Sequence, residues 1–557
     1  MKNFILLSLI LLPVALLSQI PYEQIPSFET SPEGHYATGL GIADINNDGW
    51  KDIIVANGND MERQHLLVYY NQGDGTFPLL PDWQSNDIDY HGHLSAGDID
   101  NDGDIDIAVS VYLGPNGFGD PGKVKIYYNN GSELEGTPSF QSQYFYTFSC
   151  ALGDADADGD LDLAVACGEP YSQEYDYGRI FYNDNGTFNP IADWQSNIQM
   201  GALDVEFGDV DQNGFLDLIF VCEYTDNYVF LADNQGHIDE NQDWYSENSL
   251  NFMNSVDFGR VGPSTPPCIV MTGNDQLGGD GKIKQFNFIN PIPQHSPPSW
   301  ESDHVGYGSG ILMAEINNDG YNDLLFGSWW GPLTILEGCC DFWDPIPVYT
   351  ASETSVVEAI LMSDLGKFNY QSNSENIVPV AEQGVFYLNH QIIERINSVF
   401  INNNYLDRSE YCYTELKNWI SFKTHIMPND LVTINYEFMQ NGDIVISNWD
   451  PGKGNFIYYN TGNPIGISER TSAEYTFKII RIYPQPANDF INITIQNPDG
   501  CDLKLKIHDL SGKILSSRVI SGNESQRIDV SHLADGMYIL SITDGVAASW
   551  QKVIIAR

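Results

Sequence analysis

Five segments of this 557-residue chain place acids or amides at positions 1, 3, 5 and 9 of a nine-residue frame, with glycine at position 6. The first is Asp44, Asn46, Asp48 and Asp52, and the second is Asp98, Asp100, Asp102 and Asp106. The third is Asp154, Asp156, Asp158 and Asp162; the fourth is Asp209, Asp211, Asn213 and Asp217. The last is Glu315, Asn317, Asp319 and Asp323. Oxygens at positions 1, 3 and 5 point toward one centre, and the glycine permits a sharp turn, as at the start of a calcium loop. Position 7 offers a backbone carbonyl, from Trp50, Asp104, Asp160, Phe215 or Tyr321. An EF-hand would need Glu at position 12, but Val55, Val109, Val165, Phe220 and Phe326 stand there, inside apolar runs that read as strands. The closing ligand is therefore the acid at position 9, and the loop lies within a β-hairpin. Carboxylates this crowded repel one another without a cation. An all-oxygen donor set favours Ca²⁺ over softer metals, so the expected cofactor is Ca²⁺ at about five sites.

The loops recur with start-to-start steps of 54, 56, 55 and then 106 residues, the last being two steps. The missing unit appears when Val205–Asp209 is aligned with Val256–Arg260. Arg260 stands where the first acid should be, with Gly262, Ser264 and Cys268 at the other ligand positions, so no ion is expected there. A seventh unit follows, in which Ile360–Asp364 repeats Ile311–Glu315 ahead of a longer, degenerate loop. The sixth unit, with Glu315 and Asn317, is expected to bind less tightly than the second and third.

Each unit must position its loop with short strands. One enters (Leu40–Ala43), one leaves (Asp52–Val55), and a third follows (Leu66–Asn71 or Val124–Asn129). A fourth element carries Asp82-Trp83-Gln84-Ser85, Asp193-Trp194-Gln195-Ser196, Asp243-Trp244-Tyr245-Ser246 or Ser299-Trp300-Glu301-Ser302. The regular tryptophans read as outer-strand structure rather than sugar platforms. Four short strands per unit and seven units predict an all-β fold, a seven-bladed β-propeller, with an eight-bladed ring as the alternative. The alternative rests on residues 391–461, where an Asn-rich insert precedes Asp443–Ile446 and Asn455–Asn460, which echo the repeat as an eighth blade or closing module.

The expected plan is a signal peptide at 1–19, propeller repeats at 20–390, the insert region at 391–461, a linker at 462–477 and a small β-sandwich at 478–557. The sandwich is expected from alternating strands such as Phe490–Gln496, Leu503–Asp509 and Met537–Thr543. No transmembrane segment is expected beyond the leader, whose apolar stretch is shorter than the roughly 20 residues a bilayer needs. The eight cysteines form no CxxC pattern; Cys167 and Cys222 hold equivalent repeat positions, as buried packing residues would.

With 76 acids against 25 Lys plus Arg, the net charge is −51, which argues against nucleic acid and anionic membrane as partners. Yet 42% of residues are hydrophobic and 18% charged, the composition of a folded protein. The five loops alone hold 17 carboxylates at positions 1, 3, 5 and 9.

Two resemblances complete the reading. The acidic repeat, over about Gly41 to Glu382, resembles the FG-GAP and VCBS repeats of integrin-like propellers and bacterial secreted proteins. That likeness implies calcium in the hairpin loops, on the face opposite the usual ligand-binding side. The C-terminal segment is similar to the type A sorting domain of the type IX secretion system of Bacteroidota. The likeness lies in Tyr483–Ala487, Ile507–Lys513, Ile528–Tyr538 and Lys552–Arg557. It implies the type IX secretion machinery as a partner, and release or anchoring at the cell surface.

If the acidic loops lie on one face, chain direction assigns the other. Strand-one starts bring His35, Tyr36, His91, His93 and His304 there. Strand-two exits bring Asn59, Asp60, Glu169, Tyr171, Glu223, Asn274, Asp275, Trp329 and Trp330. His91-Gly92-His93 has no third metal ligand at a readable spacing and reads as a solvated loop. Aromatic and acid-amide side chains together suit an extracellular glycan or protein ligand. No nucleophile motif, phosphate loop or HExxH is present. The expected function is a secreted or cell-surface binding or adhesion module; the alternative is a secreted polysaccharide-degrading enzyme, a lyase or glycosidase.

Overall fold

Each acidic loop joins the first two strands of a four-stranded antiparallel sheet, and the sheets follow one another along the chain. In the first unit these strands are Ala37–Ala43, Asp52–Asn57, Leu67–Tyr69 and Trp83–Gln84, paired in that order. The computed structural model describes residues 20–557 except 170, 172, 248–251, 277, 367–369, 440, 462–477, 484–486, 497–502, 509–513, 521–525, 535 and 544–547. The expected signal peptide and linker lie outside the described residues. Every residue of the two inner strands of the first unit is buried, because each sheet is covered on both faces by its neighbours. This is why these strands read as continuous apolar runs rather than as alternation.

Among the described residues, seven such sheets succeed one another, and the fourth carries a fifth short strand, His295–Ser296, in parallel. The entering strands of successive sheets lie side by side, and Val357–Ser363 of the seventh lies beside Ala37–Ala43 of the first, so the ring of a propeller closes. The N-terminal Phe28–Glu29 supplies the outermost strand of the seventh sheet, pairing with Phe456–Tyr458.

Recurring polar residues tie the sheets together. Asn129 donates its side-chain amide to Ile105 O in its own loop and to Ile45 O in the preceding one, at 3.1 and 2.8 Å. Asn183 does the same to Leu161 O and Ile99 O. Asn71 donates to Lys51 O and to Leu365 O, so this contact also bridges the first and seventh sheets. The serines of the fourth element, which carries Phe140 in place of tryptophan in the second unit, pin the outer strand: Ser85, Ser142, Ser196, Ser246 and Ser302 accept from the amides of Leu66, Val124, Gly178, Asn227 and Ile283. Trp194 and Trp244 are buried, in keeping with structural placement.

The region expected as an insert with an eighth blade divides differently. Tyr370–Ile377 pairs with Val432–Met439, which pairs with Ile393–Ile401 and through it Asn404–Leu406. Gln383–Tyr387, Trp419–Ile426 and Tyr411–Cys412 form a second small sheet. Phe386, Val399, Ile420, Ile434 and Tyr436 are among the core of this module. The insert therefore begins near Tyr370 rather than 391, and Asp443–Asn448 and Phe456–Tyr458 complete the seventh sheet beside Val357–Ser363. The insertion sits inside the seventh loop, which splits one repeat into two distant halves that resemble separate units.

Residues 462–557 form a separate compact unit. Lys478–Tyr483, Phe490–Gln496 and Gln526–Asp529 make one sheet; Ile514–Ile520, Leu503–His508, Gly536–Thr543 and Ala548–Ile555 make the other. Ile491, Ile493, Leu505, Leu540 and Ile542 belong to one shared core, the arrangement of a sandwich. Among the described residues no helix is long and apolar enough to cross a membrane.

Candidate metal centres and axial cavity

The five loops share one backbone. Position 4 is left-handed in each, at Asn47, Asn101, Ala157, Gln212 and Asn318 with φ of 56 to 61°, and so is the glycine at position 6. Two left-handed residues coil the loop so that the first acid caps it. Asp44 accepts from the amides of Asp48 and Gly49 at 3.1 and 2.8 Å. Asp209 accepts from Asn213 and Gly214 at 2.9 and 3.1 Å. Glu315 accepts from Asp319 and Gly320 at 3.3 and 2.6 Å, so the longer side chain reproduces the cap.

The acid at position 9 anchors the hairpin. Asp52 accepts from Ile45 N and Asn71 N, at 3.0 and 2.9 Å. Asp106, Asp162, Asp217 and Asp323 repeat both bonds, with the amides of Ile99 and Asn129, Ala155 and Asn183, Val210 and Ala232, and Ile316 and Gly338. All five side chains are fully buried.

In three loops, carboxylate oxygens from three acids lie within 4.8 Å of one another: Asp98, Asp100 and Asp102; Asp154, Asp156 and Asp162; Asp209, Asp211 and Asp217. Burial, reinforced by the neighbouring loop acids, raises Asp154 and Asp209 to about 7 and Asp156 to about 6. The same causes hold Asp162 and Asp217 well above the usual carboxylate range. Asp156 Oδ1 and Asp160 Oδ1 are buried without a hydrogen-bond partner. Converging oxygens, orphaned acceptors and uncompensated negative charge fit a hard divalent cation.

The fifth unit has a basic residue at position 1 of its loop. The Arg260 guanidinium bonds Thr265 O within the loop and Gln212 Oε1 of the preceding loop. Its charge lies near Asp209 of the preceding loop.

The insert rests on this face, which spacing alone did not reveal. Arg408 Nη2 lies 3.0 Å from Asp98, Ser421 Oγ donates to Asp154 at 2.6 Å, and the Tyr387 hydroxyl accepts from Asp209 N at 3.0 Å. The Cys412 thiol donates to Asp160 O, a position-7 carbonyl, at 3.4 Å. The insert also closes the lower end of an axial cavity of about 200 Å³ with Gln391, Ile392 and Thr414–Lys417. There Lys417 Nζ lies 2.7 Å from Glu206 and 3.5 Å from Asp257, two acids of the innermost strands.

A second cavity of about 250 Å³ opens on the opposite face, with His93, Ser255 and Glu358 common to both. Of the residues singled out from sequence, Asn59, Asp60, His93, Tyr171, Trp329 and Trp330 line it together. His35, His91 and His304 do not. His91 corrects the expected solvated loop: it is fully buried, with Nδ1 2.8 Å from Asn57 O. His304 packs on the Phe326 ring at 5.1 Å, and Tyr36 packs on Trp449 at 5.4 Å. Glu169 is engaged by the Tyr112 hydroxyl and the Tyr171 amide, at 2.9 and 3.0 Å. Glu223 is fully buried, and Asn274 caps a turn by accepting from Gln276 N. Sequence reasoning missed Asn254, Glu358 and Trp449. For Glu358 the signal was an acid within an otherwise apolar entering strand.

Comparison with known proteins agrees with this architecture. Residues 44–109 and 154–220 match the FG-GAP-like repeat, and residues 481–556 match the secretion system C-terminal sorting domain. Integrin alpha-3 of Mus musculus is 32% identical over 114 residues, 19% of this chain and 10% of that protein. Integrin alpha-7 of Homo sapiens is 34% identical over 112 residues, 19% of this chain and 9% of that protein. The chain thus spans about a tenth of the length of the curated relatives it matches. Solved structures similar in shape include BBS1N in complex with ARL6DN, with TM-score 0.41 and 10% identity over 64% of this chain and 92% of that one. The Dos1 propeller gives TM-score 0.36 and 11% identity, over 58% and 73%. The chain carries FG-GAP-like repeats, as in integrin α subunits, and a type IX sorting domain that directs export to the cell surface or extracellular space.

Proposed function

We propose that this protein is a calcium-stabilised binding or adhesion module, displayed outside the cell, that takes a glycan or protein ligand on the face opposite its metal loops. The observation that carries the reading is the cavity at that face. It gathers aromatic, amide and acidic side chains from six of the seven sheets, the fourth adding Leu203. Such a mixture binds by stacking and hydrogen bonding. Calcium at the five acidic loops would fix the hairpins, with ligands from positions 1, 3, 5 and 9 and the carbonyl at 7.

The reading is non-enzymatic. A lyase acting on an acidic glycan needs cationic groups to neutralise uronate charge, and among the described residues lining the cavity there is no Lys or Arg. A glycan and peptide array probed with the calcium-loaded protein tests the binding role. Reproducible binding that is lost on Trp330→Ala supports it; turnover of any substrate in a polysaccharide panel overturns the non-enzymatic reading.

A further inference from the structure

The cavity opposite the metal loops has a chemical bias that narrows its ligand. Two carboxylates line it, Asp60 and Glu358, and His93 is the lining residue able to carry positive charge, already 3.6 Å from Asp204. Glu358 is 6% exposed, and burial pushes its carboxyl up to about 8, so a cation entering the cavity would draw it into the ionised form. The charges bearing on Asp60, Glu358 and the buried Glu223 are other carboxylates, Glu169 and Asp60 among them, with no basic side chain taking part.

A second, independent observation points the same way. Asn254 is 9% exposed and lines the cavity. Its amide nitrogen is spent on Gly308 O at 3.1 Å, while Oδ1 is buried with no partner. An orphaned acceptor on a residue that lines a cavity is a place for a donor from the ligand. Aromatic walls surround it: Tyr112, Phe148, Tyr171, Trp329 and Trp330. Trp329 and Trp330 meet edge to face at 6.0 Å, and Trp330 is 56% exposed at the mouth. Aromatic faces with carboxylates behind them attract alkylammonium groups, whose charge is spread and whose surface is apolar.

We infer that the cavity recognises a primary or quaternary ammonium group, with Glu358 and Asp60 supplying charge, Asn254 Oδ1 a hydrogen-bond acceptor and the tryptophan pair a cation–π wall. This rests on the binding-module reading and specifies its ligand chemistry. The cation could belong to an amino sugar or a lysine side chain, whose primary ammonium can donate to Asn254 Oδ1, or to a choline headgroup, whose quaternary ammonium has no N–H and would rely on the carboxylates and tryptophans alone.

The test uses the exported protein with calcium, followed by tryptophan fluorescence and calorimetry. Choline is compared with its neutral isostere 3,3-dimethylbutan-1-ol, glucosamine with glucose, and Nα-acetyl-lysine amide with Nα-acetyl-norleucine amide. At least one cation should bind about tenfold or more tightly than its neutral partner, a gap of about 1.4 kcal/mol. Whichever cation gains most names the source. Glu358→Gln should remove the gap while leaving the melting curve in place, and Trp330→Ala, at an exposed site, should weaken the cation without unfolding the chain. Equal binding of cation and isostere, or no binding of any cation at about 10 mM, overturns the inference. Should an array ligand bind undiminished to Glu358→Gln, the binding role stands and the ammonium assignment falls. Should choline or glucosamine bind while every array stays silent, the cavity assignment stands and the glycan or protein ligand falls.

Discussion

The carboxylate of Asp443 accepts the backbone amide of Leu365 at 3.1 Å across 78 positions of chain, the same bond that Asp52 accepts from Ile45 across seven. Its other oxygen accepts from Asn460 N at 2.8 Å, as Asp52 accepts from Asn71. The seventh hairpin thus keeps the polar anchor of the other loops while a folded module stands between its strands. Loop insertions of this kind are tolerated because closure entropy grows slowly with length, and here the module brings its own core.

Removing that anchor should open the ring where its two ends meet. Asp443→Ala takes the acceptor from the buried amide of Leu365, at a cost of about 1–3 kcal/mol, and from the part-buried amide of Asn460, at the lower end of that range. A urea titration should show stability lowered by about 2–4 kcal/mol. Calcium stoichiometry should stay the same, since among the described residues Asp443 belongs to no converging acid cluster. An unchanged midpoint would mean that the insert, not the anchor, holds the seventh sheet.

Removing calcium should loosen the repeats themselves. Without a cation the clusters of Asp154, Asp156 and Asp162 and of Asp209, Asp211 and Asp217 keep their mutual repulsion in a buried setting. Chelation should therefore lower the melting temperature and raise its dependence on salt. A melt indifferent to chelator would refute structural calcium.

Arg260 and Asp217 should behave oppositely. Asp217→Asn weakens a converging triad, and elemental analysis of dialysed protein should find one ion fewer. Arg260→Ala should leave the ion count unchanged, because that loop is held by the guanidinium on Thr265 O and Gln212. Loss of an ion on Arg260→Ala would make its loop a site.

Much of this architecture was legible because it repeats. The spacing at Asp44, Asp98, Asp154, Asp209 and Glu315 marked the hairpins, and the Asp-Trp-Gln-Ser element marked the outer strands. Position 9 showed more than sequence could tell: its acid is a hairpin anchor with both oxygens on backbone amides, whatever it adds to a metal. The bounds of the insert escaped because Tyr370–Met439 interrupts a repeat and has no period of its own. Arg408, Ser421 and Tyr387 reach the loops through tertiary packing, which leaves no trace in spacing. His91 was misplaced for a related reason: an alternating His-Gly-His looks solvated, but close sheet packing buries it against Asn57 O.

Lys417 joins the insert to the ring, and its loss should be felt at a distance. The ammonium lies between Glu206 and Asp257, and both acids together raise its affinity for the proton against the cost of burial. About a third of its side chain is open, but onto the axial cavity that it lines. Lys417→Met would leave two carboxylates facing each other over that cavity. The cavity admits water, so the penalty should be nearer about 1–3 kcal/mol than that of a fully dry broken pair. Proteolysis should then cut within 370–439 sooner than in the parent, if the ion pair holds the insert down. Equal cutting rates, with stability unchanged, would show that Arg408 on Asp98 and Ser421 on Asp154 suffice.

The C-terminal unit should act as an address and not as part of the propeller. Residues 478–557 form their own two-sheet core and match the sorting domain over 481–556. Deleting them removes no strand from the seven sheets, whose last contribution is Phe456–Tyr458. The truncated protein should therefore keep its calcium-dependent melt. Fractionation of the producing cell should find it in the periplasm instead of at the surface or in the medium. Normal surface display of the truncated chain would refute the sorting role. Periplasmic retention of an unfolded chain would instead tie the unit to folding, and the melting curve separates the two.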